Sequence, residues 1–195
     1  MAEIIFTILA RIFPLCCQIQ SVEGVFSLSK KREIKKLKDY ACADLCLIEK
    51  EFQQIVKNTS NKSGTFKWMA LLSDYELEEF YGRHKDRKYA ALTVELYALI
   101  EQLLKDIYKA ICKSKYRNTS DVNVILDLEK KMGDYLTFKN NTKVLADLRS
   151  FIVHEEFSLK AARKSERINI KKKNRILFKQ LMKDVELYIE NIALK

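Results

Sequence analysis

The chain almost lacks residues that interrupt helices, since one proline and four glycines are spread over 195 residues. Proline removes a backbone donor and glycine costs entropy in a helix, so their scarcity favours long uninterrupted helices. Hydrophobic residues make up 48% of the chain, which is enough for these helices to enclose a core. We therefore expect an all-α fold without an extensive β-sheet.

Apolar residues recur every three or four positions in several segments, which is the spacing of one helix face. With capping signals, this pattern predicts helices over residues 28–56, 86–113, 122–132, 176–193 and from residue 141 or 142 onward. Ser73 and Glu76 match a capping box, which predicts a short helix through Tyr81 that ends at Gly82. Asp121 is the expected cap of the helix before Gly133, which is its expected end.

The polar segment 57–67 contains a glycine and is predicted to be a loop between two units. The first unit, residues 1–65, comprises an N-terminal helical extension and the first long helix. The second unit, residues 66–195, is a helical domain. Residues 28–65 could instead form one compact unit with the second.

The formal net charge of +10 favours anionic partners, either nucleic acid or an acidic protein. Simple solubility is the alternative explanation. The densest basic run follows residue 159, and its predicted RNA-binding residues are Lys160, Arg163, Lys164, Arg167, Lys171, Lys172 and Lys173. A solvated linker is the other interpretation of this run.

The cysteines predict neither a disulfide framework nor a zinc site. There are five of them, Cys16, Cys17, Cys42, Cys46 and Cys112, and none has a metal-ligand spacing with a histidine. Cys42 and Cys46, four residues apart, could supply half of a metal site, but reduced thiols packed in a core are favoured. We expect no metal and no cofactor.

The apolar N-terminal segment does not predict a membrane span. It follows Glu3 instead of a basic region, Arg11 and Pro14 interrupt it, and it is shorter than a spanning helix. We expect a cytoplasmic protein without stable membrane insertion, whose first helix belongs to a core or a dimer interface.

The segment LRSFIVHEEF, residues 148–157, combines Arg149 and His154 in an apolar helical run. A guanidinium holds phosphate in a fork, and an imidazole transfers protons near neutral pH. The positions three and four residues from the arginine are apolar, so an ion pair within the same helix is excluded. On a straight helix the two residues are about 140° and about 7.5 Å apart, so one helix alone cannot bring them together.

The arginine and histidine spacing resembles the R-x4-H signature of the HEPN superfamily of small helical domains. Ser150 stands where the family often has another polar residue, and Glu156 stands where some members have tyrosine. A long helix upstream and an amphipathic helix downstream also look like the family, over roughly the last two thirds of the chain. The resemblance implies a HEPN-like antiparallel helical bundle, here with an N-terminal helical extension.

The resemblance also implies a metal-independent endoribonuclease in which two copies of the motif meet in a homodimer. His154 would take the proton of the ribose 2′-hydroxyl, and Arg149 would stabilise the charge on the phosphoryl oxygens. Ser150 and Glu155 are candidate auxiliary residues. RNA is the expected substrate, and an antitoxin or another phage-defence protein is an expected partner.

Two other functions fit the same residues. A non-catalytic HEPN-like dimeric module would bind RNA, a nucleotide or a partner protein. A basic helical scaffold would pair Arg149 with a carboxylate of a neighbouring helix, for instance Glu95 or Glu101, and bury His154 in its core, a geometry that a structure can test.

Overall fold

The computed structural model describes residues 2–57, 71–117, 123–139 and 142–195, with side chains described from residue 28 onward. Within these residues the fold is all-α, as the composition predicts, with six helices and one minimal sheet. The helices are α1 (Ala2–Lys57), α2 (Asp74–Cys112), α3 (Val124–Met132), α4 (Lys143–His154), α5 (Leu159–Lys164) and α6 (Asn174–Asn191). Strand β1 (Leu136–Thr137) pairs antiparallel with β2 (Ala193–Leu194).

Helix α1 is longer than the apolar pattern predicts, because it begins at Ala2 and continues through Pro14. Its C-terminal half buries the predicted stripe, including Ile34, Ile48 and Phe52, in the hydrophobic core. Lys38 donates to the carbonyl oxygens of Glu190 and Ile192 at 2.8 and 2.9 Å. These bonds satisfy carbonyl groups at the end of α6, which its own helix leaves without partners.

The capping box at the start of α2 is confirmed. Ser73 accepts from the backbone N–H of Glu76, and the Glu76 carboxylate accepts from the backbone N–H of Ser73 at 2.9 Å. The predicted end at Gly82 is wrong, because α2 continues for about eight more turns to Cys112. An interior glycine costs a helix only about 1 kcal/mol relative to alanine. The burial of the apolar residues that follow outweighs that cost.

The starts of α3 and α4 lie within two residues of the predicted positions. Asn123 caps α3, with its Oδ1 accepting from the N–H of Ile125 at 3.1 Å, whereas the expected cap, Asp121, lies outside the described residues. Gly133 ends α3 as predicted. Helix α4 begins directly after Thr142 and buries Leu145, Leu148 and Ile152, which is the predicted stripe.

Helix α6 starts two residues before its predicted start and ends two residues before its predicted end. It ends early because residues 193–194 pair with β1. Its stripe Leu177, Leu181, Val185 and Tyr188 is buried as predicted. Buried residues from all six helices form one hydrophobic core. No helix among the described residues has an apolar stretch that would reach across a bilayer.

Candidate nucleic-acid interface

Arg149 lies where α2, α3 and α4 meet. Its Cζ is 5.2 Å from the ring centroid of Tyr97, a buried residue of α2. The Tyr97 hydroxyl donates in turn to Oδ1 of Asn123, the N-cap of α3, at 3.3 Å. Burial raises the pKa of Tyr97, the charge of Glu101 raises it further, and the charge of Arg149 lowers it. The guanidinium therefore lies against an aromatic ring whose hydroxyl contacts the N-cap of α3.

No carboxylate of the described residues forms an ion pair with Arg149. The scaffold hypothesis expects such a pair with a neighbouring helix, for instance with Glu95 or Glu101, and none is formed among the described residues. Glu101 pairs with Lys105 on its own helix. Burial raises the pKa of Glu95, and so do Glu51 and Asp44, two acids of α1. Arg149 thus has no carboxylate partner among the described residues.

His154 is the last residue of α4, and its side chain is exposed. Burial of this histidine in the core, the other part of the scaffold hypothesis, is therefore wrong. Val153 and Phe157 beside it are 44% and 50% exposed, so the end of α4 presents apolar side chains together with the imidazole. Within one chain, no described contact joins His154 to Arg149.

The two candidate auxiliary residues lie on either side of this helix end. Ser150 is partly buried on α4, and Glu155 is exposed directly after it. Glu155 lines a cavity of about 270 Å³ together with Asp147, Phe151 and Arg167. No described hydrogen bond connects Ser150 or Glu155 to His154.

The structure divides the basic run into two groups. In the first group, Arg163 donates from Nε to Oδ1 of Asn174 at 2.7 Å and from Nη1 to the carbonyl oxygen of Ile170 at 3.4 Å. Arg167 forms an ion pair with Asp147 at 2.9 Å, which joins the run to α4. Arg163 therefore bonds within the fold, whereas the Arg167 side chain remains 69% exposed and its ion pair adds little stability.

The second group consists of exposed lysines, namely Lys160, Lys164, Lys171, Lys172 and Lys173. None of them forms an ion pair within the described residues. Because Arg163 and α5 fix the backbone of this segment, the lysines project from an ordered surface instead of a loose linker. Such a surface can follow a phosphate backbone.

Asp86 is an organising residue that local sequence patterns do not predict. Its carboxylate accepts from Oγ of Ser158 at 2.5 Å, from the backbone N–H of Lys160 at 2.8 Å and from Nδ2 of Asn174 at 2.5 Å. The donors lie 72, 74 and 88 positions away, so no local pattern could reveal them. These bonds fix the starts of α5 and α6, and with them the two ends of the basic run, against α2.

A further cavity of about 280 Å³ lies between α2, the start of α4 and α6, lined among others by Thr142, Leu145, Lys172, Leu177 and Tyr188. Its lining is mainly apolar. The described residues hold no group of three histidine, cysteine or acidic side chains with the geometry of a metal site. The described cysteines, Cys42, Cys46 and Cys112, are free thiols.

Searches of protein-family models, curated proteins and solved structures found no match to this chain. The resemblance to the HEPN superfamily therefore depends on the R-x4-H spacing and on the order of the helices around it.

Proposed function

We propose that the chain is a metal-independent endoribonuclease of the HEPN type, which acts as a homodimer in toxin–antitoxin or phage-defence biology. Arg149 stabilises the phosphoryl group and His154 transfers protons. The observation that carries the proposal is the state of these two residues: the guanidinium has no carboxylate partner among the described residues, and the imidazole is exposed at a helix end. A structural arginine and a core histidine would show the opposite.

The reaction uses the nucleophile that RNA carries. One histidine removes the proton of the 2′-hydroxyl, whose oxygen attacks the adjacent phosphorus, and the bond from phosphorus to the 5′-oxygen breaks. A second histidine gives a proton to the departing 5′-oxygen. Arginine N–H groups stabilise the charge that develops on the phosphoryl oxygens. The products are a 2′,3′-cyclic phosphate and a 5′-hydroxyl, and DNA is not cleaved because it lacks the nucleophile.

A second copy of the chain supplies the second histidine. Arg149 and His154 point in directions about 140° apart on α4, so one chain exposes the imidazole without directing the guanidinium to the same place. Two α4 ends that pack about a twofold axis would bring two histidines and two arginines to one groove. The exposed Val153 and Phe157 are apolar side chains that such packing would cover.

A non-catalytic dimeric RNA-binding module is the second candidate. The contact between Arg149 and Tyr97 favours it, because an arginine stacked on a buried ring also stabilises the junction of α2 and α4. The exposed lysines of the basic run would then supply most of the RNA affinity. Both candidates require the same surface, and they differ only in whether the phosphodiester bond breaks.

The test is cleavage of end-labelled RNA in EDTA by the unmodified protein, Arg149→Ala and His154→Ala. The chain has two histidines, so His84→Ala, an exposed position on α2, is a matched control purified in parallel. We expect the two motif variants to lose activity by at least about a hundredfold and the control to retain it. An RNA with a 2′-deoxy nucleotide at the cut position should resist cleavage there. Equal cleavage by all four proteins would reject the proposal, and binding without cleavage would favour the module.

A further inference from the structure

The cavity of about 280 Å³ between α2, α4 and α6 is lined by residues outside the R-x4-H motif. Its apolar walls belong to the hydrophobic core and include Ile100, Leu145, Leu177, Leu181, Val185 and Tyr188. Its rim carries the exposed side chains of Lys172, Gln180 and Asp184. An apolar enclosure with a few polar groups is the usual form of a small-molecule site, and this volume, just below the common range of about 300–1,000 Å³, fits a ligand of one ring system.

Thr142 places an unpaired hydroxyl in this apolar cavity. The residue lines the cavity and is 7% exposed. It is the N-cap of α4, yet its side chain makes no capping hydrogen bond, because its backbone has φ −81° and ψ 0° instead of the extended conformation of most caps. The one fully enclosed side-chain polar atom without a partner in the described residues belongs to Tyr89, so the Thr142 hydroxyl is open to the cavity. A ligand can use it as a donor or as an acceptor.

The segment that carries Lys172 is fixed against the fold. Asn169 adopts a left-handed conformation with φ 46°, which asparagine tolerates better than most residues. The N–H of Ile170 donates to the carbonyl oxygen of Arg163 at 2.6 Å, and the Ile170 side chain packs on the core and lines the cavity. This side of the cavity is therefore formed before a ligand binds.

The rim offers a carboxylate and a cation at separate places. Asp184 accepts from Nε2 of Gln180 at 2.8 Å through Oδ1, and a carboxylate has further acceptor sites for N–H groups of a ligand. Lys172 forms no ion pair with Asp184 or with any other described carboxylate, and its neighbours Lys171 and Lys173 are exposed cations. A complementary ligand has apolar faces, N–H groups on one edge and an attached phosphate.

We propose that this cavity binds a nucleobase. The flat faces of the base lie against the apolar walls, and its edge bonds to the Thr142 hydroxyl and to the Asp184 carboxylate, which accepts from ring or amino N–H groups. Lys172 holds the phosphate of the same nucleotide. A fatty acid is less complementary, because its chain would leave the hydroxyl unpaired and its carboxylate would be repelled by Asp184.

The base can belong to a free nucleotide or to an RNA strand. Proteins that read RNA sequence bind unstacked bases of single strands by hydrogen bonds to their edges. Helix α4, which has 12 residues and is about 18 Å long, separates the cavity at its start from His154 at its end. A few nucleotides of a single strand cover that distance. The RNA source rests on the proposed function, whereas binding of a free nucleotide does not.

The experiment is thermal unfolding at constant ionic strength with increasing concentrations of each of the four ribonucleoside 5′-monophosphates. Ribose 5-phosphate is the matched control ligand, because it has the sugar and the phosphate without the base. We expect at least one nucleotide to raise the unfolding temperature of the unmodified chain more than ribose 5-phosphate does. No nucleotide effect beyond that of ribose 5-phosphate would overturn the proposal, and stabilisation by decanoate alone would assign the cavity to fatty acids instead.

Thr142→Val is the decisive variant because it keeps the shape of a buried side chain and removes only the hydroxyl. Without ligand it should unfold at the temperature of the unmodified chain or higher, since the hydroxyl has no partner to lose. Its affinity for the stabilising nucleotide should fall about fivefold, the effect of losing one neutral hydrogen bond. Its affinity for ribose 5-phosphate should not change, a difference that a purely structural role of Thr142 would not produce.

Two pairs of variants test the rim. Lys172→Gln is compared with Lys183→Gln, and Asp184→Asn is compared with Glu186→Gln. Both control residues are exposed on α6 and do not line the cavity. We expect nucleotide affinity to fall about tenfold in the two rim variants, the effect of losing one charge-assisted hydrogen bond, and to stay unchanged in the controls. Equal nucleotide affinity in these four variants and in Thr142→Val would overturn the proposal.

Fluorescence anisotropy of a short labelled single-stranded RNA over a salt series identifies the source of the base. If an RNA base occupies the cavity, the free nucleotide competes with the RNA. Thr142→Val then weakens RNA binding without changing its dependence on salt, because it removes no phosphate contact. If a free nucleotide is the ligand, Thr142→Val leaves RNA affinity unchanged. Neither result depends on cleavage, so the base site and the ribonuclease proposal can fail separately.

Discussion

The guanidinium of Arg149 lies over the ring of Tyr97, with 5.2 Å between Cζ and the ring centroid. This contact fastens the helix of the R-x4-H motif to the long central helix α2. An arginine paired with a carboxylate would lose much of its attraction for phosphate, whereas one stacked on a ring retains its charge. The same contact can therefore stabilise the fold and keep Arg149 ready for an anionic ligand.

Removing Arg149 should cost little stability. We expect Arg149→Ala to lower the free energy of unfolding by about 0.5–1 kcal/mol, the value of a partly exposed cation–π contact. A double-mutant cycle with Tyr97→Leu, measured by urea unfolding, should give a coupling energy of that size. A coupling near zero would show that the contact does not form in solution. A loss well above about 2 kcal/mol would make Arg149 chiefly a structural residue.

The sequence predicts the helices and their buried faces because both depend on neighbours within a few positions. The stripe of α4 at Leu145, Leu148 and Ile152 and the capping box at Ser73 are of this kind. Gly82 misled the prediction because a local helix breaker was outweighed by burial further along α2. The all-α fold class can be predicted from composition alone.

The sequence predicts only some of the residues of the candidate site. Spacing identifies Arg149 and His154, but not the ring under the guanidinium, since Tyr97 lies on another helix. Asp86 was missed because its three donors lie 72 to 88 positions away. Charge density identified the basic run, but only the structure separates Arg163, which bonds within the fold, from the exposed lysines.

That separation leads to a second prediction. Replacing Lys171, Lys172 and Lys173 with glutamine should weaken RNA binding and reduce the slope of affinity against salt by about one for each phosphate that is no longer neutralised. The free energy of unfolding should change by less than about 0.5 kcal/mol for each exposed position. Fluorescence anisotropy over a salt series measures the slope. An unchanged slope would show that these lysines do not face RNA.

Arg163→Gln should behave in the opposite way. It removes the hydrogen bonds to Asn174 and Ile170, so we expect a loss of about 1–2 kcal/mol in the free energy of unfolding. Its effect on the salt slope should be smaller than that of any one exposed lysine. Urea unfolding and the same anisotropy series provide the comparison. A normal stability with a reduced slope would assign Arg163 to RNA contact instead of to the fold.

The hydrogen-bonded pair of the partly buried Glu129 and the buried Tyr188 gives a pH-dependent prediction. The Tyr188 hydroxyl donates to Oε1 of Glu129 at 2.6 Å. Burial raises the pKa of Glu129 above its usual value of 4.5, although this hydrogen bond acts in the other direction. Because the pKa of Glu129 is raised in the folded state, this carboxyl group favours folding at pH values below its usual pKa. That contribution is lost as pH rises through the raised pKa.

Glu129→Gln keeps an oxygen acceptor for Tyr188 and stays neutral at every pH. Its stability relative to the unmodified chain should therefore increase between about pH 4 and about pH 7. Urea unfolding across that range measures the difference, and Glu78→Gln, on an exposed part of α2, is the control. A relative stability that stays constant with pH would mean that burial does not raise the pKa of Glu129.

The last prediction tests whether the proposed active site spans two chains. Arg149→Ala and His154→Ala should each be inactive, yet a mixture unfolded and refolded together should regain part of the activity. A mixed dimer still carries one intact arginine and one intact histidine, on different chains, and a groove about a twofold axis brings them together. Cleavage by the mixture is compared with each variant refolded alone, and analytical ultracentrifugation checks that all are dimers. Because the proposed reaction uses two histidines and the mixed dimer has one, the activity regained should be well below that of the unmodified dimer. A mixture with no more activity than its components would show that one arginine and one histidine on different chains do not suffice for cleavage.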